Sequence, residues 1–197
     1  ESEPVLYEVE RVRDGRSFTT RQVVASQAGG AILNLIASFQ AHEEGEDAQA
    51  IRPPEHVGKP DDFTNIDTQL FFEHRVVRTR KDPLPEQFSW MRVGEDLGTD
   101  PMVHACALAY MSDEDLLGVA ALPHEIGGNG DKLMCASLDQ AVWFHRPVLA
   151  TDWVLFSRYG HGVANASGKH VDRAFTQSGF HVPTIAKEEP GRDRRGK

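Results

Sequence analysis

Two stretches of the sequence combine residue types that could do chemistry. The first, CASLDQAVWFHRPV at residues 135–148, places Asp139, His145 and Arg146 among Trp143 and other apolar side chains. Burying a charged group beside aromatic rings costs free energy unless a partner compensates it, so this run is either a polar network within a core or the wall of a site. The residue types alone favour the polar network for these three side chains.

The second stretch is an acidic run at the end of a predicted helix. In DPMVHACALAYMSDEDLLG, Asp100 can cap the helix, Pro101 suits its first position, and apolar residues then recur at helical spacing. Four polar residues follow at the C-terminal end: Ser112, Asp113, Glu114 and Asp115. Carboxylates at that end oppose the helix dipole, and a solvated acidic turn is one interpretation. The apolar flanks favour the other, in which one carboxylate faces inward as a general base.

Most of the remaining chain predicts antiparallel β-structure. Residues 5–40 alternate apolar and polar positions around an Asp14-Gly15 turn, which predicts a meander of three strands. Residues 43–66 are rich in acidic residues and proline and have little to bury, so they are predicted as a linker. Two strands, the helix and several further strands follow. This order implies an α+β unit in which the helix lies on the concave face of a curved sheet.

The part of the chain after the helix contains four predicted strands. They are KLMCASLDQ, DWVLFSRYG, VANASGKHVDRAFT and FHVPTIAK. Pro183 lies inside the last of them, although proline has no backbone N–H to donate to a neighbouring strand. We therefore expect Pro183 at a sheet edge or at a bulge.

Composition argues against several classes of protein. The formal charge of -9 disfavours nucleic-acid binding, because phosphate neutralisation needs clustered Lys and Arg. No stretch approaches the ~20 consecutive apolar residues of a membrane span, and no signal segment opens the chain. No HExxH or Cys-x-x-Cys motif occurs, so neither a metal nor another cofactor is expected. Cys106 and Cys135 stand in apolar contexts and are predicted as buried thiols in a reducing compartment.

Three segments of the sequence resemble the acyl-CoA thioesterase II family. They are VERVRDGRSFTTRQVVASQAGGAILNLIASFQ, AYMSDEDLLGVAALPH and ASLDQAVWFHRPVLATDWVLF, and the likeness runs over residues 5–192. The family joins two hotdog domains, each a curved antiparallel sheet wrapped on a central helix. The resemblance implies an α+β double hotdog whose first domain is truncated at its N-terminus. Residues 1–42 would be the remnant of that domain, 43–66 the linker, 67–190 the second hotdog domain and 191–197 a tail.

The resemblance also implies a function, the hydrolysis of fatty acyl-CoA to free fatty acid and CoA. In the family an Asp, a Ser or Thr, and a Gln hold and activate the attacking water. The Asp of the Y-x-S-D motif is Asp113 here, and the hydroxyl that opens the S-L-D run is Ser137, which a strand would present to the site. Asp113 would accept a proton from water that Ser137 orients, without a covalent acyl-enzyme. Trp143 and Phe144 would shape the surrounding wall.

One position departs from the family pattern. Ten residues beyond Gln177 of the T-Q-x-G turn, where the family has its Gln, this chain has Lys187. An ammonium donates hydrogen bonds but accepts none, and a cation near Asp113 favours the carboxylate and weakens it as a base. Impaired hydrolysis is expected, and the alternative is a catalytically impaired acyl-CoA-binding or assembly module. A hotdog hydratase fits less well, because His104 and Asp113 stand nine residues apart.

The resemblance extends to partners and compartment. It implies fatty acyl-CoA as the substrate and no cofactor, nucleic acid or membrane span. Three strands without their helix would expose an apolar face that upstream residues or a partner chain must cover, so a homo-oligomer is expected. Relatives occur in bacterial cytoplasm and in peroxisomes, although the C-terminal Arg195-Gly196-Lys197 is not a Ser-Lys-Leu type of peroxisomal address.

Overall fold

The chain folds as two compact units, Glu1–Ala48 and Gln49–Lys197. The structure is a computed structural model that describes residues 3–64, 67–69, 71–82, 84–114, 118–122 and 133–193. Among these residues, no helix is long and apolar enough to span a membrane.

The first unit is a three-stranded antiparallel sheet in the order β1-β2-β3, as its alternating pattern predicts. Its strands are β1 (Leu6–Asp14), β2 (Phe18–Gln27) and β3 (Gly30–Gln40). The turn between β1 and β2 requires a glycine, because a Cβ on Gly15 would lie 2.8 Å from the carbonyl oxygen of Phe18. Ala25 is buried, whereas the large apolar side chains of β1 are exposed. The sheet thus leaves apolar surface in contact with solvent.

Within the described residues, the second unit is an eight-stranded antiparallel sheet with one long helix. The strand order is β4-β5-β6-β9-β10-β11-β7, and β8 also pairs with β11. The strands are β4 (Asp67–Gln69), β5 (Phe72–Arg80), β6 (Glu86–Val93), β7 (Leu133–Cys135), β8 (Asp139–Phe144), β9 (Val154–Ala164), β10 (Ser167–Thr176) and β11 (His181–Asp193). The helices are α1 (Pro101–Met111) and the short α2 (Gly118–Ala121), and Pro60–Asp62 form a 3₁₀ turn.

Helix α1 begins and packs as its sequence predicts. The Asp100 side chain accepts a hydrogen bond from the Met102 backbone N–H at 2.9 Å, and Pro101 occupies the first turn. The main core cluster joins one face of α1 to one face of the sheet: Ala107, Leu108 and Met111 pack with Phe72, Met91, Val93, Ala150, Val154, Phe156, Ala174, Val182 and Ile185. A helix packed on an antiparallel sheet is the predicted α+β architecture.

The prediction of buried thiols is wrong for Cys106, whose side chain is exposed. The buried residues of α1 include His104, Leu108 and Met111, which recur at helical spacing along one face. Cys106 lies on the opposite face, because successive helix residues are rotated by about 100°. The side chain of Cys135 lies outside the described residues.

The segment VANASGKHVDRAFT, predicted as one strand, belongs to two strands. Strand β9 ends at Ala164 and β10 begins at Ser167. Between them Asn165 and Ala166 adopt φ values of 53° and 57°. Positive φ at both central residues suits a two-residue hairpin. Ala rarely adopts this conformation, so the sequence contains no strong turn signal at this point.

Pro183 lies at an irregularity of β11, as expected for a proline within a strand. The register of β10 with β11 shifts between Arg173 and Phe175, whose partners are Thr184 and His181. Two residues of β11, Pro183 among them, therefore stand opposite one residue of β10, which is the geometry of a β-bulge.

Part of the predicted linker, residues 43–66, packs within the second unit. The Gln49 side chain accepts a hydrogen bond from the His181 N–H at 2.8 Å and donates one to the Gly179 carbonyl oxygen at 2.9 Å. Val57 is buried in a second core cluster with Trp90 and Trp153. Because few of its residues are apolar, the segment lacks a periodic pattern that would predict this packing.

Candidate active site

The carboxylate of Asp113 lies just beyond the C-terminal end of α1. Ser112 is the C-cap of the helix, and the Asp113 N–H donates to the Tyr110 carbonyl oxygen at 3.0 Å. The Asp113 side chain is 47% exposed. It therefore stands at a boundary where it can meet both a substrate and buried groups. Of the other carboxylates in this run, Glu114 is half-buried and Asp115 lies outside the described residues.

Ser137 lies in the short connection between β7 and β8, and its predicted place on a strand is wrong. Both neighbouring strands pair with β11, and the Leu138 N–H donates to the Glu188 carbonyl oxygen at 3.0 Å. This bond ties the connection to β11. The Ser137 hydroxyl donates a hydrogen bond to Asp113 Oδ1 at 2.6 Å.

Lys187 reaches the same carboxylate from β11, and its side chain is fully buried. Its Nζ lies 2.6 Å from Asp113 Oδ1 and 2.5 Å from Glu189 Oε1. It also donates a hydrogen bond to the Asp113 carbonyl oxygen at 3.1 Å. Two of these contacts are ion pairs and the third is a hydrogen bond to the backbone. Lys187 in this position holds Asp113 rather than offering a donor to a substrate.

The structure thus brings the three predicted site residues together, with Ser137 and Lys187 both in contact with the carboxylate of Asp113. Both side-chain partners bind Oδ1. Within the described residues, no hydrogen bond is donated to the second oxygen, Oδ2, of this half-exposed group. Carboxylate oxygens accept hydrogen bonds, so Oδ2 can take a proton from a water.

Gln140 is a further side chain of the site that the sequence patterns did not identify. It is the residue of β8 paired with Lys187 of β11, so the two side chains lie side by side on one face. The Gln140 amide donates to the Ser112 hydroxyl at 2.6 Å, and that hydroxyl donates to the Ala109 carbonyl oxygen at 2.7 Å. Gln140 thereby connects β8 to the residue preceding Asp113. The signal in the sequence is an amide three residues beyond Ser137.

Behind Lys187 lies a second group of buried ionisable residues. Glu189 Oε1 is 3.6 Å from His170 Nε2, and His170 Nδ1 is 2.8 Å from Asp172 Oδ1. Burial alone would lower the pKa of His170, but its hydrogen bond with Asp172 and the negative charges of Asp172 and Glu189 outweigh burial and raise the pKa to about 9. His170 therefore contributes stability that is complete below pH 6.5 and is lost as the pH rises through about 9.

Arg158 of β9 also belongs to this group of charges. Its side chain is fully buried, with Nε 3.7 Å from Asp172 Oδ2 and Nη1 donating to the Ser89 hydroxyl at 2.7 Å. The sequence signal for the group is the spacing of ionisable residues two apart, as in His170 and Asp172, because such residues face the same side of a strand. The sequence did not predict the group as a whole, because its members come from three different strands, β9, β10 and β11.

Of the three polar residues predicted to form a network, His145 and Arg146 make hydrogen bonds to β11, whereas Asp139 is exposed at the start of β8. His145 Nε2 and His181 Nε2 both lie near the Thr184 hydroxyl, at 2.9 and 3.2 Å. Arg146 donates to the His181 carbonyl oxygen at 2.8 Å. Burial, and then the nearby His145, lower the pKa of His181. Trp143, however, is exposed, so this part of the run is not the interior of a core.

His104 is a structural residue of α1 and not a partner of Asp113. Its Nδ1 accepts a hydrogen bond from the Ala150 backbone N–H at 3.1 Å, and its Nε2 bonds to the Gly98 carbonyl oxygen at 2.9 Å. Both ring nitrogens are engaged by backbone groups. The pairing of His104 with Asp113 that a hydratase would need does not occur.

Known families and proteins resemble this chain over nearly its whole length. The family model described as acyl-CoA thioesterase matches residues 65–189, and that of the acyl-CoA thioesterase N-terminal domain matches residues 1–40. Acyl-CoA thioesterase 2 of Haemophilus influenzae is 29% identical, over 94% of this chain and 72% of its own length. Acyl-coenzyme A thioesterase 8 of Mus musculus is 32% identical, over 94% of this chain and 67% of its own length.

Solved structures agree with this relationship. The crystal structure of an acyl-CoA thioesterase II, TesB2, from Mycobacterium marinum superposes with a TM-score of 0.83 at 34% identity, covering 97% of this chain and 75% of that one. A protein with the hotdog fold from Alicyclobacillus acidocaldarius superposes with a TM-score of 0.73 at 17% identity, covering 95% and 72%, which supports the fold. This chain therefore has a hotdog-type α+β fold and belongs to the acyl-CoA thioesterase family.

Proposed function

We propose that this chain hydrolyses fatty acyl-CoA to free fatty acid and CoA, with Asp113 activating the attacking water. The observation that carries the proposal is the convergence of Ser137 and Lys187 on Asp113 Oδ1, each at 2.6 Å. These contacts orient the carboxylate and leave Oδ2 for the water. Ser137 donates its own proton to Asp113, so its oxygen lone pairs can accept a hydrogen bond from the same water and orient it.

The reaction needs no covalent intermediate on the protein. Asp113 Oδ2 takes a proton as the water oxygen bonds to the thioester carbonyl carbon, forming a tetrahedral intermediate. The carbon–sulfur bond then breaks, and the protonated Asp113 returns its proton to the CoA thiolate. The products are the free acid and CoA, and the carboxylate is restored for the next turnover.

The geometry of Lys187 supports reduced turnover. Its ammonium contacts Asp113 Oδ1 at 2.6 Å, and an ammonium can donate a hydrogen bond but cannot accept one from the attacking water. Its side chain is fully buried and its ammonium lies against Asp113 and Glu189, so it is not placed to bind a developing oxyanion. The same observation favours a second candidate function, an acyl-CoA-binding or assembly module that has lost turnover.

Thiol release from a panel of acyl-CoA chain lengths separates the two functions. The hydrolase is expected to release free CoA with a preference for one range of acyl lengths. Tight binding of acyl-CoA without thiol release would favour the binding module. Neither binding nor release would contradict both proposals.

The substitution Lys187→Gln is expected to raise the rate of thiol release by about tenfold, equivalent to ~1.4 kcal/mol in the barrier. The amide removes the positive charge from Asp113 and can both donate to and accept from the water. The matched control is Lys169→Gln on β10, an exposed lysine paired with Glu188, which should leave the rate unchanged. If folded Lys187→Gln releases thiol at the wild-type rate while Asp113→Asn abolishes release, the proposal that Lys187 impairs turnover would be contradicted.

We also propose that the chain forms a homo-oligomer through its first unit. The register places Tyr7 and Leu33, and likewise Val9 and Leu35, on one face of the three-stranded sheet, and all four side chains are exposed. A contiguous apolar face of this kind favours association. Light scattering after size exclusion should give a mass above the 21.9 kDa of one chain. We expect Val9→Lys to shift it towards the monomer, and a well-behaved wild-type monomer would contradict the proposal.

A further inference from the structure

We propose that Glu189 and His170 are positioning residues that set the basicity of Asp113 through the ammonium of Lys187. This inference rests on the proposed function, in which Asp113 is the general base. Glu189 and His170 lie behind Lys187, so they act on the reacting water only through the charges between them and Asp113.

The contacts form a continuous row of alternating charge from the site into the core. Successive partners are separated by 2.6, 2.5, 3.6, 2.8 and 3.7 Å, in the order Asp113, Lys187, Glu189, His170, Asp172 and Arg158. Carboxylates and cations alternate along the whole row. Each inner member therefore lies between two groups whose charge is opposite to its own. Removing the charge of one member changes the electrostatic potential at the next.

The strand register and a glycine keep the members of this row beyond Asp113 away from water. His170 pairs with Lys187 of β11 on one side and with Gly160 of β9 on the other. A Cβ on Gly160 would lie 2.7 Å from the Val119 carbonyl oxygen, so only glycine lets α2 pack this closely on the sheet. The side chains of Lys187, Glu189, His170 and Asp172 are almost completely buried. Charges in such an interior interact much more strongly than charges in water.

His170 determines how Lys187 is shared between two carboxylates. The charged groups facing His170 are Asp172 on its own strand, Glu189 and Lys187 on β11, and Arg158 on β9, whereas the buried residues of α2 are apolar. A pKa of about 9 keeps His170 cationic at neutral pH. As a cation it offsets Glu189, and more of the Lys187 charge remains for Asp113. With a neutral side chain at position 170, Glu189 attracts the ammonium more strongly and Asp113 becomes a stronger base.

Two charge-removing substitutions should therefore move the pH profile of thiol release in opposite directions. His170→Asn is expected to shift the acid limb, which reports Asp113, upward by about one pH unit and to raise the plateau rate. Glu189→Gln is expected to shift that limb downward by a similar amount and to lower the plateau. A merely structural role would impair both variants without opposite shifts. His161→Asn, an exposed histidine of β9, is the matched control and should leave the profile unchanged.

A carbon NMR titration of the Asp113 carboxyl group tests the same inference without activity. The apparent pKa of Asp113 should rise in His170→Asn and fall in Glu189→Gln, provided that circular dichroism shows both variants folded. Shifts in one direction, or no shift in the folded variants, would overturn the inference. Where wild-type protein releases no thiol, the proposed hydrolysis fails and the titration alone decides the positioning role. If Glu189→Gln does not fold, Asp172→Asn replaces it and should lower the pKa of Asp113. If His170→Asn does not fold, His170→Gln replaces it and should raise that pKa.

Discussion

Replacing Asp113 by Asn is expected to lower the rate of thiol release from acyl-CoA by about a thousandfold, within the range that general-base catalysis contributes. The Asn oxygen can still accept hydrogen bonds from Ser137 and Lys187, so the side chain should keep its place. A neutral amide, however, does not take a proton from water at neutral pH. The measurement is kcat under saturating acyl-CoA with a chromogenic thiol reagent.

The control for Asp113→Asn is the same substitution at a nearby carboxylate. Asp139 begins β8, is exposed, and pairs with Glu188 of β11, outside the contacts that surround Asp113. Asp139→Asn should change kcat by no more than about twofold. Binding of acyl-CoA should survive in both variants. Full activity in Asp113→Asn would show that another group activates the water, and the proposed mechanism would then be wrong.

The second large effect concerns stability and falls on Arg158. Arg158→Met is expected to reduce the free energy of unfolding by about 3–5 kcal/mol, because removing one member of a buried ion pair leaves the other charge uncompensated. Asp172 would keep His170 as a partner but lose the guanidinium 3.7 Å from its Oδ2. Ser89 would lose a hydrogen bond of 2.7 Å. Urea unfolding of wild type and variant, with the slope and midpoint both fitted, measures this difference.

Arg80→Met is the matched control for Arg158→Met. Arg80 is 38% exposed and lies 2.8 Å from Glu86, which also binds Arg78 at 3.2 Å. The loss of this partly exposed pair should cost about 0–1 kcal/mol, since solvent screens it and Glu86 keeps a second partner. Equal losses in the two variants would mean that the buried row contributes no more to stability than this partly exposed pair.

Local patterns predicted the secondary structure well, because the interactions responsible lie within a few residues. Asp100 and Pro101 marked the start of α1 through a capping bond and a backbone preference that need no tertiary contact. Pro183 indicated a bulge because a missing N–H has the same consequence in any sheet. The hairpin at Asn165 and Ala166 was missed, since the positive φ values there are held by strand pairing rather than by residue type.

The site was predicted only as far as individual residues. Asp113, Ser137 and Lys187 were identified from motifs of a resembling family, but their distances depend on how α1, the β7–β8 connection and β11 meet. Lys187 and Asp113 are 74 positions apart in the chain, and no local rule relates them. Gln140 was missed for the same reason, because its neighbour Lys187 is set by the pairing of β8 with β11.

The amino-acid sequence by itself determined most of the strands, the capped helix, the family and the presence of a lysine where the family has an amide. These features follow from residue types and short spacings. Only the tertiary structure decided that this lysine bridges Asp113 to Glu189 and that His170, Asp172 and Arg158 continue the row of charges. The physical reason is that a buried charge is stabilised by whichever opposite charge lies within a few Å, and strand register brings that partner from a distant part of the chain.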